Sequence, residues 1–151
     1  ADRLFDRPEI RALGPDPLVD GLDPDALHER LRKSQRPIKV ALLDQGLIAG
    51  VGNIQATEAL FLARIHPARP AASLDAAEVR ALVEAIDRSI RETLAAQGEG
   101  ETIAYVEEPG AENPFRVYGR AGSPCPRCGA TLEKIEIGGR TSAFCPREQR
   151  L

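Results

Sequence analysis

The sequence predicts a mainly α-helical body followed by a small β-hairpin finger. Apolar residues recur with helical spacing in the first 97 positions, whereas the last 37 carry two short cysteine motifs joined by a stretch long enough for a hairpin. With 151 residues, of which 42% are hydrophobic, the chain can bury one moderate core and a small satellite core. This length excludes two full domains.

The helical body, residues 22–97, is predicted to follow a lead-in linker, residues 1–21. The linker contains a Gly-Pro-Asp-Pro run and no sustained periodicity. Asp23 can cap a helix and Pro24 suits the first helical position, because proline lacks the N–H that would be unpaired there. A short helix is therefore predicted from this point to about Ser34.

An apolar segment, residues 38–43, is followed by a glycine-spaced stretch, residues 46–53, which leads into a helix predicted over residues 54–64. The stretch lacks the third glycine of a dinucleotide fingerprint and the Gly-Lys-Ser/Thr of a P-loop. Its spacing leaves two interpretations open. The glycines let the backbone approach an anion, so that Asn53 and the first N–H groups of the helix bind a phosphate, or they only permit tight packing of helices.

The longest helix is predicted over residues 75–96, where Asp75 and Glu78 have the spacing of a capping box. Residues 98–114 are rich in Gly, Glu and Pro and predict a mobile loop, after which the finger occupies residues 115–151. One apolar stripe along the long helix is predicted to be core: Val79, Leu82, Ile86, Ile90 and Leu94.

The finger contains two turns, here called the first knuckle (Cys125-Pro-Arg-Cys128) and the second knuckle (Cys145-Pro-Arg-Glu148), separated by 16 residues. Each knuckle can aim two ligands at one point, and zinc accepts oxygen as well as sulfur. We therefore expect one zinc ion held by Cys125, Cys128, Cys145 and Glu148, with a metal-free hairpin as the alternative. A disulfide is disfavoured, because three cysteines cannot all pair and paired knuckles are typical of metal sites.

Charge is unevenly distributed along a chain whose net charge is −3. Residues 116–151 contain seven basic and three acidic side chains. A second cluster holds five cations and no acid within ten positions: Arg30, Arg32, Lys33, Arg36 and Lys39. These clusters favour a phosphate-facing surface, although each alone is also typical of solvated surface. No apolar run approaches the roughly 20 residues that span a bilayer, so we expect a soluble, cytoplasmic protein.

Several ordered motifs are similar to those of one enzyme family. They are Pro-Ile-Lys-Val-Ala-Leu-Leu-Asp-Gln at residues 37–45, Ala-Gly-Val-Gly-Asn-Ile at 49–54 with Glu58 after it, Ile-His-Pro at 65–67, Val-Tyr-Gly-Arg at 117–120, and Gly-Arg-Thr at 139–141 between the knuckles. In this order and spacing they resemble the C-terminal half of formamidopyrimidine-DNA glycosylase over almost the whole chain. The sequence departs from that family at Gln55, where tyrosine is usual, and at Glu148, where cysteine is usual.

The resemblance implies a helix-two-turn-helix body and a zinc finger, in a bacterial, nucleoid-associated protein. Enzymes of this family flip an oxidised purine such as 8-oxoguanine or a formamidopyrimidine out of the duplex, excise it and nick the strand at the abasic site. By similarity, Lys39 lies at the lesion pocket, Asn53 and Arg140 grip phosphates, and residues 98–114 close over the base. The expected partner is double-stranded DNA with an oxidised base or an abasic site. The protein is expected to act as a monomer and not to bind a membrane.

The same resemblance places the catalytic nucleophile, the amine of an N-terminal proline followed by a glutamate, upstream of the matching segment. No catalytic residue is therefore assigned, and the chain by itself is expected to be inactive. A chain that begins at Ala1 and contains no methionine indicates a piece of a longer protein, or one that has lost its initiator. Two other functions stay open: a free-standing, non-catalytic module that binds damaged DNA, and a structural zinc-ribbon protein that binds acidic partners.

Overall fold

The computed structural model describes residues 13–97 and 113–151. Most of the predicted lead-in and nearly all of the predicted mobile loop lie outside these ranges. Within them, a helical body is followed by one antiparallel hairpin, and no helix combines the length and apolarity needed to cross a membrane. The elements are α1 (Pro24–Leu31), α2 (Ile38–Leu43), α3 (Asn53–Ala63), a 3-10 turn (Ala71–Ser73), α4 (Ala76–Gln97), β1 (Glu133–Ile137) and β2 (Arg140–Phe144).

Helix α1 begins where the sequence predicts but ends earlier. The Asp23 carboxylate caps it by accepting the Asp25 backbone N–H at 3.1 Å. The helix ends at Leu31, three residues before the predicted end. Beyond it the backbone is drawn into a tertiary contact, because the Ser34 carbonyl accepts a hydrogen bond from the Ala72 N–H at 2.8 Å.

Helix α4 confirms the predicted capping box. The Glu78 N–H donates to the Asp75 carboxylate at 2.8 Å, and the Asp75 N–H donates back to the Glu78 carboxylate at 3.0 Å. Four members of the predicted apolar stripe are buried, but Leu94 is 46% exposed. The prediction for Leu94 was wrong because the last turns of the helix extend past the helical core, which reaches Ile90.

The described residues form two hydrophobic cores. The larger core joins the four helices. The smaller core lies in the finger and contains Val117, Leu132 and Ala143 beside the cysteines, together with Phe61, which belongs to α3. Because Phe61 is fully buried there, the finger packs directly on α3 and its position is set by that helix.

The described end of the predicted lead-in is hydrogen-bonded to the turn before α3. The Gly14 N–H donates to the Gln45 carbonyl at 2.8 Å, and the Ala49 N–H donates to the Pro15 carbonyl at 3.0 Å. These bonds hold residues 14 and 15 against residues 45–49, the segment that precedes α3.

Candidate nucleic-acid interface and metal centre

The tip of the finger is a two-residue turn that presents Arg140. Gly138 and Gly139 have φ angles of +58° and +77°, and Ile137 and Arg140 form the last pair of the β1–β2 ladder. Two consecutive positive φ angles fit a type I′ hairpin turn, whose twist matches that of the strands. Arg140 is therefore the first residue after the turn, with an exposed side chain.

Asn53, the first residue of α3, faces the finger. Its Nδ2 donates to the Thr141 carbonyl at 3.4 Å, while its buried Oδ1 has no hydrogen-bond partner in the described part of the chain. Asn53 and Arg140 line one groove of about 480 Å³ together with Tyr118 and Lys134. The groove-lining residues include two cations and no acidic side chain, so the groove suits an anion.

The glycine stretch forms the turn that aims the start of α3 at this groove. The Gln45 side chain closes the turn, because its Oε1 accepts the Gly50 N–H at 2.8 Å and its Nε2 donates to the Val51 carbonyl at 3.1 Å. A Cβ atom on Gly50 or Gly52 would meet a single side-chain oxygen, at 3.8 or 3.4 Å. Tight helix packing therefore does not require these glycines, whereas the φ angle of +85° at Gly50 favours one. Within residues 13–97 and 113–151, no side chain caps the N–H groups at the start of α3.

Lys39 lies behind the groove and does not line it. Its side chain is fully buried, and its Nζ donates to the Thr57 hydroxyl at 3.1 Å. Burial, and secondly the charge of Arg140, lower the pKa of Lys39 to about 8.

The basic cluster that contains Lys39 in sequence is divided in the structure. Arg36 pairs with Asp44 at 3.1 Å and Arg32 with Glu29 at 2.8 Å. The five cations consequently do not form one phosphate-facing surface, because the helical fold turns Lys39 inward and the arginines outward.

The two knuckles bring four donor atoms together. The thiols of Cys125, Cys128 and Cys145 and a carboxylate oxygen of Glu148 all lie within 4.8 Å of one another, and the Cys128 and Cys145 sulfurs are 3.5 Å apart. A tetrahedral zinc site with Zn–S bonds of about 2.3 Å has sulfurs roughly 3.8 Å apart. The donor set and its spacing therefore fit one zinc ion.

Hydrogen bonds support the fourth position. The Glu148 side chain is only 12% exposed; its Oε2 accepts from Arg127 Nε at 2.5 Å, and Arg64 Nη1 lies 3.8 Å from its Oε1.

In the first knuckle, a hydrogen bond from the Ala130 backbone is the main cause that lowers the pKa of the Cys128 thiol. This shift favours the thiolate, the form that binds metal.

The family is decided by the comparison with known sequences. The family profile described as "Formamidopyrimidine-DNA glycosylase H2TH domain" matches residues 13–104, and the profile "Zinc finger found in FPG and IleRS" matches residues 122–147. The chain belongs to the formamidopyrimidine-DNA glycosylase family. The resemblance drawn from the motifs is confirmed.

Bacterial relatives of this family match the chain over nearly its full length. The formamidopyrimidine-DNA glycosylase of Thermomicrobium roseum is 50% identical over 145 residues, which cover 92% of this chain and 50% of the relative. That of Chloroflexus aurantiacus is 45% identical over 150 residues, covering 95% of this chain and 54% of the relative. The chain thus spans about half the length of these relatives.

Solved glycosylase structures share its fold. A complex of Lactococcus lactis Fpg with DNA containing an abasic site matches with a TM-score of 0.84 and 35% identity, covering 100% of this chain and 56% of that one. A complex of MutM with DNA containing carbocyclic 8-oxo-G matches with a TM-score of 0.86 and 34% identity, with the same coverage. Both structures contain the protein bound to DNA.

Glu58 is a structural residue of this glycosylase-family chain to which sequence reasoning gave no role. Its carboxylate is 2% exposed and accepts three consecutive backbone N–H groups, from Arg116 at 2.6 Å, Val117 at 2.9 Å and Tyr118 at 3.0 Å. It thereby fixes the segment that enters the finger and carries Tyr118 to the groove. The available signal was a single carboxylate inside the apolar sequence of α3, since a buried charge needs compensating partners.

Proposed function

We propose that this chain is the DNA-binding part of a base-excision-repair glycosylase and abasic-site lyase that acts on oxidised purines, namely 8-oxoguanine and formamidopyrimidines. It grips the phosphates of the duplex around a flipped-out nucleotide. The observation that carries the proposal is the groove in which Asn53 of α3 and Arg140 of the hairpin meet.

The chemistry of the groove suits a phosphate of the DNA backbone. Three kinds of hydrogen-bond donor meet there: the Asn53 carboxamide, the guanidinium of Arg140 and the N–H groups at the start of α3, which no side chain of the described residues caps. The positive end of the helix dipole adds to their attraction for an anion. The planar fork of arginine can bind two phosphate oxygens at once. These donors carry no base specificity and therefore position the duplex.

Lys39 contributes from behind the groove, at the side of the lesion pocket. Because its pKa is about 8, the Lys39 amine is protonated in most molecules at neutral pH. Its charge therefore adds to the positive potential on the lesion side, while the hydrogen bond to Thr57 fixes the position of the amine.

One zinc ion, held by Cys125, Cys128, Cys145 and Glu148, supports the finger. When bound, zinc cross-links the two knuckles and so lowers the free energy of the folded hairpin. The chain's own residues then keep Arg140 in place, because β2 begins at Arg140 and ends at Phe144, directly before Cys145. The metal has a structural role and takes no part in base excision.

The chain by itself is proposed to be inactive, since the resemblance assigns the nucleophile to a domain that precedes the matched segment. Base excision and strand nicking are consequently proposed for the complete protein, acting as a monomer on the nucleoid in the bacterial cytoplasm. The relatives of about twice this length support the assignment.

The experiment is to measure binding of the 151-residue chain to a duplex with a stable abasic-site analogue and to the same duplex undamaged, at several salt concentrations. We expect preference for the damaged duplex, and its loss in Asn53→Ala and Arg140→Ala. Arg150→Ala, which removes an exposed arginine of the finger outside the groove, is the control. Equal, steeply salt-dependent binding to both duplexes would mean that this chain binds DNA phosphates but does not recognise the lesion. Absence of binding would contradict the proposal.

A further inference from the structure

Arg127 lies between the metal ligands and the end of α3. Its Nε donates to the Glu148 carboxylate at 2.5 Å, and its Nη2 donates to the Phe61 carbonyl at 2.5 Å. Its guanidinium carbon lies 3.7 Å above the centre of the Phe61 ring, and its backbone N–H lies 3.4 Å from the Cys125 sulfur. The side chain is only 25% exposed, so one arginine contacts both knuckles and the helix.

The position of Arg127 is set independently of Glu148. Phe61 belongs to the last turn of α3, where the helix dipole is negative; its carbonyl accepts the Arg64 N–H at 3.1 Å and has a second lone pair for Arg127. A cation is favoured at such an end, and its contact with the Phe61 ring adds a cation–π interaction. The guanidinium is therefore held by the helical body before any contact with the second knuckle is counted.

A carboxylate needs such support more than a thiolate does. Cysteine presents one sulfur on a short side chain, whereas glutamate has two further rotatable bonds and two equivalent oxygens. Ligating carboxylates are commonly held by hydrogen bonds from outside the coordination sphere. Arg127 engages Oε2, which leaves Oε1 for a metal bound by one oxygen, with Arg64 at 3.8 Å on that side.

Charge gives Arg127 a further role, which would hold for a fourth thiolate as well. Three thiolates and one carboxylate carry more negative charge than a divalent ion neutralises, and the site lies in partly buried surroundings. Arg127 offsets part of this excess through direct contact with the ligand. A neutral side chain at position 127 would leave the carboxylate both mobile and electrostatically less favourable.

We propose that Arg127 is the positioning residue that makes Glu148 a metal ligand, so that the two residues together replace a fourth cysteine. This inference rests on the zinc ion proposed above. It explains how the finger can bind metal without a fourth cysteine. Arg127, which belongs to the first knuckle and is held by α3, orients Glu148, the ligand in the second knuckle.

A double-mutant cycle on the 151-residue chain tests the assignment. Zinc affinity is measured by competition with a chromophoric chelator, and Co²⁺ serves as the spectroscopic probe, for the parent, Arg127→Met, Glu148→Cys and the double variant. We expect Arg127→Met to weaken metal affinity roughly 10- to 100-fold in the parent. In the Glu148→Cys background the same change should weaken it by a factor at least about three times smaller, because the positive charge is still lost but a thiolate needs no orientation. Arg150→Met, an exposed arginine whose Nε binds the Arg147 carbonyl, is the matched control and leaves affinity unchanged.

The Co²⁺ spectrum distinguishes the two proposals. Stronger thiolate-to-cobalt absorption in Glu148→Cys than in the parent shows that position 148 belongs to the coordination sphere. A parent chain that binds neither ion overturns the zinc site and the Arg127 inference together. Metal binding that is unaffected by Arg127→Met, or weakened equally in both backgrounds, overturns the Arg127 inference alone, since Arg127 would then act only on packing of the finger.

Discussion

The Asn53 carboxamide at the start of α3 donates a hydrogen bond to the Thr141 carbonyl in β2, across 88 positions of sequence. Further along the same helix, Glu58 holds the segment that enters the finger, and Phe61 is buried in the finger core. Helix α3 thus contacts the finger along its whole length. The groove that we propose binds a phosphate lies at its N-terminal end and the proposed metal ligands lie near its C-terminal end, so disturbance of α3 is expected to affect both.

Arg140→Ala should weaken binding to duplex DNA while leaving the fold intact. Loss of a charged hydrogen bond to a phosphate costs roughly 1.5–3 kcal/mol of binding free energy, and the slope of log K against log salt should fall by about 1. Fluorescence anisotropy at four salt concentrations measures both, with Arg150→Ala as the control. An unchanged slope would show that Arg140 does not bind a phosphate.

Glu58→Gln should destabilise the chain although it changes few atoms. The carboxylate accepts N–H groups on both oxygens, whereas an amide nitrogen cannot accept, so at least one buried N–H loses its partner. The expected cost is roughly 1.5–3 kcal/mol, or a fall in melting temperature of about 5 °C. The Glu84→Gln variant on α4 should melt like the parent, and equal melting of all three would refute the structural role of Glu58.

Lys39→Met should stabilise the chain most below pH 8. The pKa of Lys39 is about 8 in the folded state and about 10.4 when unfolded, so the unfolded state binds more protons between these values. Stability of the parent should therefore rise with pH across this window. The free-energy advantage of the variant, on the order of 3 kcal/mol at pH 7, should shrink as the pH rises towards about 10.4.

Thermal unfolding from pH 7 to 10 measures this dependence on Lys39. Lys33→Met, an exposed substitution, controls for the general effect of removing a cation. A constant difference between parent and Lys39→Met over the whole range would mean that the buried amine does not titrate there.

Glu148→Cys should raise zinc affinity and the melting temperature of the zinc-bound chain together. A fourth thiolate binds zinc more tightly than a carboxylate in structural sites, and tighter binding to the folded state raises stability by mass action. Chelator competition and melting with saturating zinc measure the two effects. In the metal-free state the variant should not gain stability, because Arg127 loses its ion pair. No change in either quantity would show that the finger does not use this position.

Borohydride should not trap this chain covalently on DNA that contains 8-oxoguanine or an abasic site. Trapping requires an amine that attacks the sugar C1′ carbon, and the amine of Lys39 is buried against Thr57. Gel electrophoresis after reduction tests this, with a glycosylase of full family length as the positive control. A covalent adduct through Ala1 or Lys39 would refute the inactivity proposed for the chain alone.

Local signals in the sequence predicted the elements whose cause is local. Asp23 and the Asp75–Glu78 pair cap the helices they were expected to cap. The knuckle spacing predicted the hairpin between Cys128 and Cys145, which the structure contains. Each of these interactions joins residues separated by a short stretch of chain, so sequence spacing is enough to specify it.

Expectations failed or stayed incomplete where distant residues decide the outcome. The end of α1 depends on a backbone bond from Ala72, and exposure of Leu94 depends on where the helical core stops. Lys39 belongs to a basic run in sequence, but its amine is buried against Thr57. Periodicity and composition do not contain these contacts.

The sequence by itself determined the family, the helical body with its finger, and the donor atoms available to a metal, because motifs, caps and knuckles are defined by residue type and short spacing. Only the tertiary structure decided that Asn53 and Arg140 share a groove and that Arg127 reaches both Glu148 and Phe61. The physical reason is packing. The burial of Phe61 and the bonds to Glu58 set the finger on α3, and that placement brings side chains of both halves to one surface.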